Sequence, residues 1–259
     1  MPEGPEVKLN SVALSKAISN SVLADFIVES GRYTRNPLVG LENFRKTLPA
    51  KVIGTGCHGK FMYVIFDNGW NLWSSKRSGH TRVKFQAGDT VVYYNDIRNF
   101  GTLKFIYGAH ELKKKLKKLG LDLLSSKVSP REFLSKLRIH DGKNICKVMM
   151  NQNVLAGVGN YIKSEALWIA KMNPNKLVSD FEDYELLELK EAIAHVMRSS
   201  YENDGATFLT HTGFSGRKGR YKERFACYNR KIDVDGNQVT KTKTPDGRTT
   251  YWSAERQGE

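Results

Sequence analysis

The sequence has no apolar run long enough to cross a bilayer or to act as a secretion signal, so we expect a soluble protein. It has only three cysteines, and Cys57, Cys146 and Cys227 are widely separated. This odd, scattered set argues against a disulfide framework and for a reducing, intracellular compartment, whether nucleus, cytoplasm or viral factory. The sequence also lacks internal repeats and low-complexity segments.

Acidic residues are few compared with basic ones. The chain has 41 Lys and Arg against 27 Asp and Glu, a formal net charge of +14. Because such an excess costs self-repulsion, we expect a polyanionic partner, although charge does not separate DNA from RNA or from an anionic membrane. The 259 residues leave room for two medium domains and a real core.

The first seven residues, Met1 to Val7, carry the first chemical signal. If the methionine is removed, Pro2 has a free secondary amine. An α-amino group titrates roughly two to three units below a lysine, so it can attack an electrophilic carbon and form a Schiff base. Glu3 is its neighbour, and Glu6 falls in the first turn of a predicted helix, where the helix dipole favours negative charge. The same residues also fit an ordinary helix start without any catalytic role.

Residues 22 to about 108 have the pattern of β structure. Short segments rich in β-branched and aromatic residues alternate with turn signals such as Asp67-Asn68-Gly69. The predicted strands are Val22–Val28, Lys51–Gly54, Phe61–Phe66, Trp70–Trp73, Thr81–Phe85, Thr90–Tyr94 and Leu103–Tyr107.

A helical region is predicted to follow. The lysine-rich segment Glu111–Leu119 favours a solvated helix face, and Leu121–Val128 is interpreted as a linker. Ser129, Pro130 and Glu132 then supply an N-cap, a proline at the first helical position and a capping-box glutamate. A last long helix has an apolar stripe of Leu186, Leu189, Ile193, Val196 and Met197, which we interpret as core packing.

A tight turn, Ala156–Asn160, leads into another predicted helix. The first backbone N–H groups of such a helix point outward and form an anion site suited to a DNA phosphate. The surrounding stretch Met150–Trp168 resembles the helix-two-turn-helix of the Fpg/Nei family of DNA glycosylases. The N-terminal Met-Pro-Glu-Gly-Pro-Glu-Val and the pair Gly59-Lys60 before a strand resemble the same family. The Glu-Gly-Pro form is closer to the endonuclease VIII (Nei) branch than to the Glu-Leu-Pro of the formamidopyrimidine branch.

The resemblance implies an α+β fold. We expect a catalytic N-terminal β-sandwich with a leading helix at 1–120, a linker at 121–128 and a helical domain with a finger at 129–259. It also implies that Asn160 and Lys60 bind phosphates and that Lys60 reaches the catalytic pocket. Glu165 matches a recurrent family glutamate, for which we expect a structural or hydrogen-bonding role.

The finger departs from the bacterial pattern. In the slots where most bacterial relatives carry two Cys-x-x-Cys pairs around zinc, this chain has Cys227, Arg230, Ser253 and Arg256. One soft ligand cannot build a tetrahedral site, so we expect no zinc. What remains, over about 222–257, resembles the zincless finger of eukaryotic and viral Nei-like enzymes. We predict a hairpin with strands in 231–239 and 245–252, and the resemblance gives Arg248 a phosphate contact.

Other residues are expected to replace the extruded base. The segment Asn95–Gly101 resembles the family loop in which Arg98 faces the orphaned base and Phe100 is the wedge. The other residue expected to fill the space left by the extruded base differs from the family, because Arg77 occupies the slot of an apolar residue. Either Arg77 stacks in this space, or the space-filling function is lost or moved. The glycine-rich segment 205–219 is typical of a mobile loop over a flipped base.

The resemblance implies a bifunctional DNA glycosylase and abasic-site lyase, a monomer acting on damaged DNA without a metal or organic cofactor. Pro2 attacks C1′, Glu3 is the general acid that opens the sugar, and Glu6 supports proton transfer; β,δ-elimination follows. Oxidised pyrimidines and hydantoins are the expected substrates. Three alternatives stay open: 8-oxoguanine or formamidopyrimidine excision, non-catalytic nucleic-acid binding, and ribosomal-type RNA binding.

Overall fold

The computed structural model describes residues 2–75, 81–88, 90–95, 102–206 and 219–258. Its chain forms two compact units. The first contains Met1–Pro2, Glu6–Lys118 and Ala206–Gly219, and the second contains Glu3–Pro5, Leu119–Gly205 and Arg220–Glu259. Within the described ranges, no helix is long and apolar enough to cross a membrane.

The first unit is built on antiparallel strands behind a leading helix, α1 (Gly4–Ile18), whose first two residues belong to the second unit. The strands hydrogen-bond in the order β6-β5-β1-β2-β3-β4-β7. Two short helices, α2 (Leu41–Arg45) and α3 (Ala109–Lys117), complete this unit. The strands are β1 (Val22–Val28), β2 (Ala50–His58), β3 (Phe61–Phe66), β4 (Trp70–Ser75), β5 (Thr81–Ala87), β6 (Thr90–Asn95) and β7 (Thr102–Tyr107).

The sheet folds over onto itself to enclose an apolar core. β1 and β2 pair over only two residue positions, so the sheet can bend sharply between them. Phe26 of β1 meets Phe105 of β7 edge to face, with ring centroids 4.8 Å apart, although these strands are far apart in the sheet order. Phe44 of α2 stacks on Phe105 at 4.2 Å and fills the space between the layers. The predicted β-sandwich with a leading helix is confirmed.

All seven strand segments read from the sequence are strands in the structure. The bounds of β1 and β3 agree with the prediction, while β2 continues to His58, four residues past the predicted end at Gly54. The turn at Asp67–Gly69 joins β3 to β4, and Gly69 has the left-handed φ of +83° that such a turn needs.

The second unit is helical. Its helices are α4 (Pro130–Arg138), α5 (Ile145–Met150), α6 (Asn160–Ile169), α7 (Asp183–Glu202) and α8 (Ala254–Gln257). The predicted N-cap is present, because the Ser129 hydroxyl accepts a hydrogen bond from the Glu132 backbone N–H at 3.2 Å. The five residues of the predicted apolar stripe lie on α7 and are all buried.

The finger hairpin differs from its prediction in one strand. Its strands are β8 (Thr240–Lys243) and β9 (Thr249–Trp252), so the expected first strand within 231–239 was wrong. Residues 233–237 instead form a loop around the Asp233 carboxylate, which accepts backbone hydrogen bonds from Asp235 at 3.0 Å and Asn237 at 2.8 Å. A side chain that satisfies local backbone donors competes with a strand ladder. Only a single bridge, Ile232 to Gln238, remains there.

Candidate functional site

The Glu3 side chain lies on the N-terminus of α6. Its Oε1 accepts a hydrogen bond from the Tyr161 backbone N–H at 3.0 Å, and its Oε2 accepts one from Ile162 at 3.3 Å. These donors belong to the first turn of a helix, where N–H groups lack partners within the helix and the dipole favours an anion. Glu3 is 4% exposed. The carboxylate beside Pro2 is therefore fixed to the helix that begins at Asn160.

Glycine at position 159 leaves the space that Glu3 occupies. A Cβ on Gly159 would lie 2.2 Å from Glu3 Cδ and 2.4 Å from its Oε1. The backbone φ of Gly159 is −131°, which any residue can adopt, so the requirement for glycine comes from this close approach. The next residue of the N-terminal segment is held as well, since the Gly4 N–H donates to the Gly157 carbonyl at 2.9 Å.

The other predicted catalytic residues belong to the first unit. Pro2 is buried. Glu6 is 4% exposed, and its Oε1 accepts a hydrogen bond from the Ala206 backbone N–H at 2.8 Å, at the start of the glycine-rich segment. Lys60 is half-buried and lies in the turn between β2 and β3, where Gly59 has a left-handed φ of +55°.

Asn160 is the first residue of α6 and connects this helix to the finger. Its Nδ2 donates to the Thr249 carbonyl at 2.8 Å. Its Oδ1 is buried, with no hydrogen-bond partner among the residues that the structure describes. Because a phosphate oxygen only accepts hydrogen bonds, the group of Asn160 that could bind one is its Nδ2, which has a second hydrogen besides the one given to Thr249. Arg248, the residue before Thr249, is exposed in the turn between β8 and β9.

Glu165 fixes the other side of the finger. It is 2% exposed, and its two oxygens accept hydrogen bonds from three consecutive backbone N–H groups, those of Ala226 at 2.6 Å, Cys227 at 2.9 Å and Tyr228 at 2.7 Å. The structural role predicted for Glu165 agrees with this geometry. The same carboxylate therefore satisfies every backbone donor of a short turn that has no ladder partner.

Cys227 is built into the finger core as a thiol. Its Sγ lies 3.6 Å from the Ser164 carbonyl and 3.5 Å from the Tyr251 carbonyl, and donates to them. Burial, together with the nearby Glu165 carboxylate, raises the pKa of the Cys227 thiol far above its ordinary value. A metal requires the thiolate, so this environment opposes metal ligation.

Arg256, which occupies one of the four slots that hold zinc ligands in most bacterial relatives, packs against a tryptophan. The Arg256 guanidinium lies 3.8 Å from the centroid of the Trp168 ring, its Nε donates to the Trp168 carbonyl at 2.9 Å, and it forms an ion pair with Asp235. The Trp168 indole N–H donates to Asp233 at 2.9 Å. Across the described part of the chain, no group of three or more His, Cys, Asp or Glu could hold a metal ion. The residues present do not fit a tetrahedral zinc site.

One pair of buried charges was missed by the sequence reasoning. Lys163 of α6 and Asp246 of the finger turn form an ion pair at 2.8 Å, with side chains 0% and 3% exposed. The available signal was a lysine on a helix whose other residues, apart from Glu165, carry no charge. Three predicted residues, Arg77, Arg98 and Phe100, lie outside the described residues, as do positions 207–218 of the glycine-rich segment.

Comparison with known proteins agrees with this architecture. The formamidopyrimidine-DNA glycosylase N-terminal domain matches residues 1–103, and the formamidopyrimidine-DNA glycosylase H2TH domain matches residues 119–212. The chain is 26% identical to a formamidopyrimidine-DNA glycosylase of Halalkalibacterium halodurans, over 97% of this chain and 98% of that protein. It is 27% identical to one of Pelotomaculum thermopropionicum, over 97% of each.

Two solved structures show the fold. A complex of Lactococcus lactis Fpg with DNA containing an abasic site is 23% identical, with a TM-score of 0.86 over 99% of this chain and 100% of that one. The Fpg protein of Thermus thermophilus is 22% identical, with a TM-score of 0.87 over 100% of this chain and 99% of that one. At these identities the similarity concerns the fold alone.

A β-sandwich with a leading helix, followed by a helix-two-turn-helix unit, is the two-domain fold of a class of base-excision DNA glycosylases. The two family matches together span more than half of the chain, which therefore belongs to the formamidopyrimidine-DNA glycosylase family. The predicted enzyme class, DNA glycosylase and abasic-site lyase, is confirmed.

Proposed function

We propose that this enzyme removes oxidised bases from damaged DNA through a Schiff base on Pro2. After removal of Met1, the Pro2 amine attacks C1′ of the damaged nucleotide, the N-glycosidic bond breaks, and the base leaves with its electron pair. The Glu3 carboxylate takes the proton that the amine loses and gives it to O4′, so the sugar ring opens and an iminium ion remains. Loss of the C2′ proton then expels the 3′ phosphate, and a second elimination expels the 5′ phosphate.

The observation that carries this proposal is the position of the Glu3 carboxylate. Glu3 follows the nucleophile in the chain and is held by the Tyr161 and Ile162 N–H groups. A general acid must be fixed within reach of the atom it protonates, and the proposed acceptor, O4′, belongs to the sugar that Pro2 attacks. The two hydrogen bonds that cap α6 also hold this carboxylate next to Pro2 in the chain.

We assign the phosphate contacts to Asn160, Arg248 and Lys60. Asn160 holds the residue that follows Arg248 in the chain, since the Asn160 amide donates to the carbonyl of Thr249. The side chains of Asn160 and Arg248 can therefore grip the nucleic-acid backbone as one unit, while contacts of this kind carry affinity and register without reading sequence. Lys60, in the turn between β2 and β3, supplies a further positive charge near the reacting nucleotide.

We further propose that the enzyme belongs to the endonuclease VIII-like branch and has a finger without zinc. Three features support this. The Cys227 thiol donates to carbonyls, Arg256 stacks on Trp168 where a ligand would be required, and Gly4 fits closely. A Cβ at Gly4 would lie 3.1 Å from the Gly157 Cα and 2.8 Å from the Met197 methyl, which disfavours the leucine of the other branch. Oxidised pyrimidines and hydantoins are then the preferred lesions, processed by a monomer in a reducing compartment.

A second candidate substrate class is supported by the relatives. The similar proteins of Halalkalibacterium halodurans and Pelotomaculum thermopropionicum are named formamidopyrimidine-DNA glycosylases. Excision of formamidopyrimidine and 8-oxoguanine is therefore the alternative. Single-turnover cleavage of matched duplexes and single strands containing thymine glycol, dihydrouracil, a hydantoin, 8-oxoguanine or formamidopyrimidine distinguishes the two by the order of the rates.

Borohydride trapping tests the mechanism. Methionine-free protein is incubated with a duplex containing an abasic site and reduced with sodium borohydride, which converts a Schiff base to a stable amine. We expect a covalent adduct whose tryptic peptide maps to Pro2, and no adduct with Pro2→Gly if the secondary amine is needed for the rate. A retained Met1 in fully active protein, or an adduct on a lysine alone, would contradict the assignment.

A further inference from the structure

The ion pair between Lys163 and Asp246 plays no part in the chemistry proposed above, although burying it is costly. Among the described ion pairs, only this one has both side chains almost completely removed from solvent. Taking two charges out of water costs several kcal/mol per ion, and their attraction repays this only when the geometry and additional hydrogen bonds are good. A buried pair is therefore weak evidence for stability, and its position in the fold indicates what else it does.

Its position is the turn that carries Arg248. Lys163 Nζ contacts the Thr244 hydroxyl at 3.5 Å, and that hydroxyl donates to Asp246. The turn is closed by two backbone hydrogen bonds, from Thr244 N–H to the Arg248 carbonyl at 3.1 Å and from Gly247 N–H to the Thr244 carbonyl at 2.9 Å. Asp246 therefore anchors the turn from inside, while Arg248 points outward from it.

The same face of α6 holds the strand that follows. Asn160, Lys163 and Ser164 are spaced three and four residues apart, so their side chains share one side of the helix. Asn160 holds the carbonyl of Thr249, and the Ser164 hydroxyl accepts the Tyr251 N–H at 3.2 Å. The pair Lys163–Asp246 adds a third contact from this face of the helix, and it holds the turn between β8 and β9.

We propose that Lys163 and Asp246 are positioning residues that set the direction of Arg248 relative to Asn160, so that both bind the DNA backbone together. The inference rests on the proposed function and adds to it the residues that control the phosphate grip. Both side chains are buried, 0% and 3% exposed, so we expect neither charge to contact the DNA itself. Their loss should weaken the Arg248 contact and leave the chemistry at Pro2 intact.

The test uses the full-length, methionine-free enzyme and a duplex with a natural abasic site. The principal variant is the double substitution Lys163→Met/Asp246→Asn, which removes both charges with little change in side-chain volume. Because no buried charge is left without its partner, this variant should melt close to wild type. We expect KM to rise about tenfold with kcat unchanged, as for loss of one charged hydrogen bond.

A double-mutant cycle separates positioning from general support. We expect Arg248→Ala to raise KM about tenfold in the wild-type background and less than about twofold in the Lys163→Met/Asp246→Asn background, since the contact is already lost there. The slope of log Kd against log salt should fall by about one in each variant and not further in the combination. Lys163→Arg, which keeps the charge, should retain most of the wild-type affinity.

Two results would overturn the inference. One is full additivity of Arg248→Ala with the double variant. The other is a KM unchanged from wild type in a double variant that folds normally. A double variant that fails to fold is replaced by Lys163→Gln/Asp246→Asn, which also removes both charges but keeps polar side chains, and the same cycle applies with the same outcomes. Failure of the proposed function is distinguishable, because it leaves the wild-type enzyme without an adduct on abasic DNA.

Discussion

Replacing Gly159 with alanine should stop the chemistry while leaving the protein folded and able to bind DNA. The added Cβ would lie 2.2 Å from Glu3 Cδ, well inside contact distance. Because the Gly159 backbone has φ of −131°, alanine introduces no backbone strain. The conflict is therefore relieved by the flexible Glu3 side chain, which has to leave the N-terminus of α6.

The size of the effect follows from the two hydrogen bonds that Glu3 makes, at 3.0 Å and 3.3 Å. A hydrogen bond to a charged group contributes about 1.5–3 kcal/mol, and the longer of these two belongs at the lower end. The free energy of unfolding should fall by about 3 kcal/mol. Loss of a positioned general acid should slow Schiff-base formation by about 10²- to 10⁴-fold.

The assay is single-turnover borohydride trapping on abasic duplex, run beside thermal unfolding and a binding titration. Gly142→Ala is the matched control, because a Cβ there would meet nothing within 4 Å. We expect this control to stay within about 0.5 kcal/mol of wild type in stability and to keep its rate. Adding Gly159→Ala to Glu3→Ala should cost little, since the side chain that clashes is absent.

The reasoning is refuted if Gly159→Ala traps DNA at the wild-type rate. It is also refuted if the variant loses DNA affinity to the same extent as rate, because Asn160 and Arg248 are unchanged and should still hold the backbone. A third decisive result is a large additional loss when Gly159→Ala is placed on Glu3→Ala, which would show that the glycine acts through another group.

Four further outcomes are expected. Glu165→Gln should lower the free energy of unfolding by about 1–3 kcal/mol in chemical denaturation, because one acceptor oxygen for the finger turn becomes a donor. Metal chelators should change neither melting temperature nor activity, and native mass spectrometry should find no zinc. Arg256→Ala should lower the free energy of unfolding by about 2 kcal/mol, because the stack on Trp168 is lost. Burial raises the pKa of Cys146 to about 11. At pH 8, iodoacetamide should therefore modify the partly exposed Cys57 first and Cys146 only after unfolding, as measured by peptide mass. Rapid labelling of Cys146 in the folded protein would contradict this.

The strands were predictable because their pattern is local. From Met62 to Phe66, β3 alternates buried and partly buried residues, β1 is rich in β-branched and aromatic residues, and the turn residues between strands carry their own signal. The start of α4 was predictable for the same reason, since the Ser129 cap and Glu132 are three residues apart. Local sequence is enough to predict an element when the residues that define it lie within or next to that element.

The finger hairpin was mispredicted because a side chain overrides the local pattern. Residues 231–239 contain Ile232 and Val234 two positions apart, the spacing of one strand face, yet both are exposed. The Asp233 carboxylate accepts the N–H groups that a ladder would use, so the chain turns instead. Sequence patterns do not show which of two competing partners a backbone donor takes.

The site contacts were beyond local prediction for a different reason. Glu3 and Tyr161 are 158 positions apart, and Lys163 and Asp246 are 83 apart. Such pairs are brought together only by the tertiary fold of the second unit, and no periodicity within either segment indicates the partner. The resemblance identified Glu3, Asn160 and Arg248 as functional residues, while the structure shows that α6 contacts each of the segments to which they belong.

The positions of Glu3, the finger turn and the turn at Ala226 therefore all depend on the direction of α6. The helix presents its first N–H groups to Glu3, one face to the finger turn through Asn160 and Lys163, and Glu165 to the turn at Ala226. Successive residues of an α-helix are rotated by about 100°, so inserting one residue after Gly159 would turn every one of these side chains away from its partner. The position of the Glu3 carboxylate, the phosphate contacts proposed for Asn160 and Arg248, and the packing of the finger turn would then be lost together, whereas an insertion in an exposed loop should affect none of them.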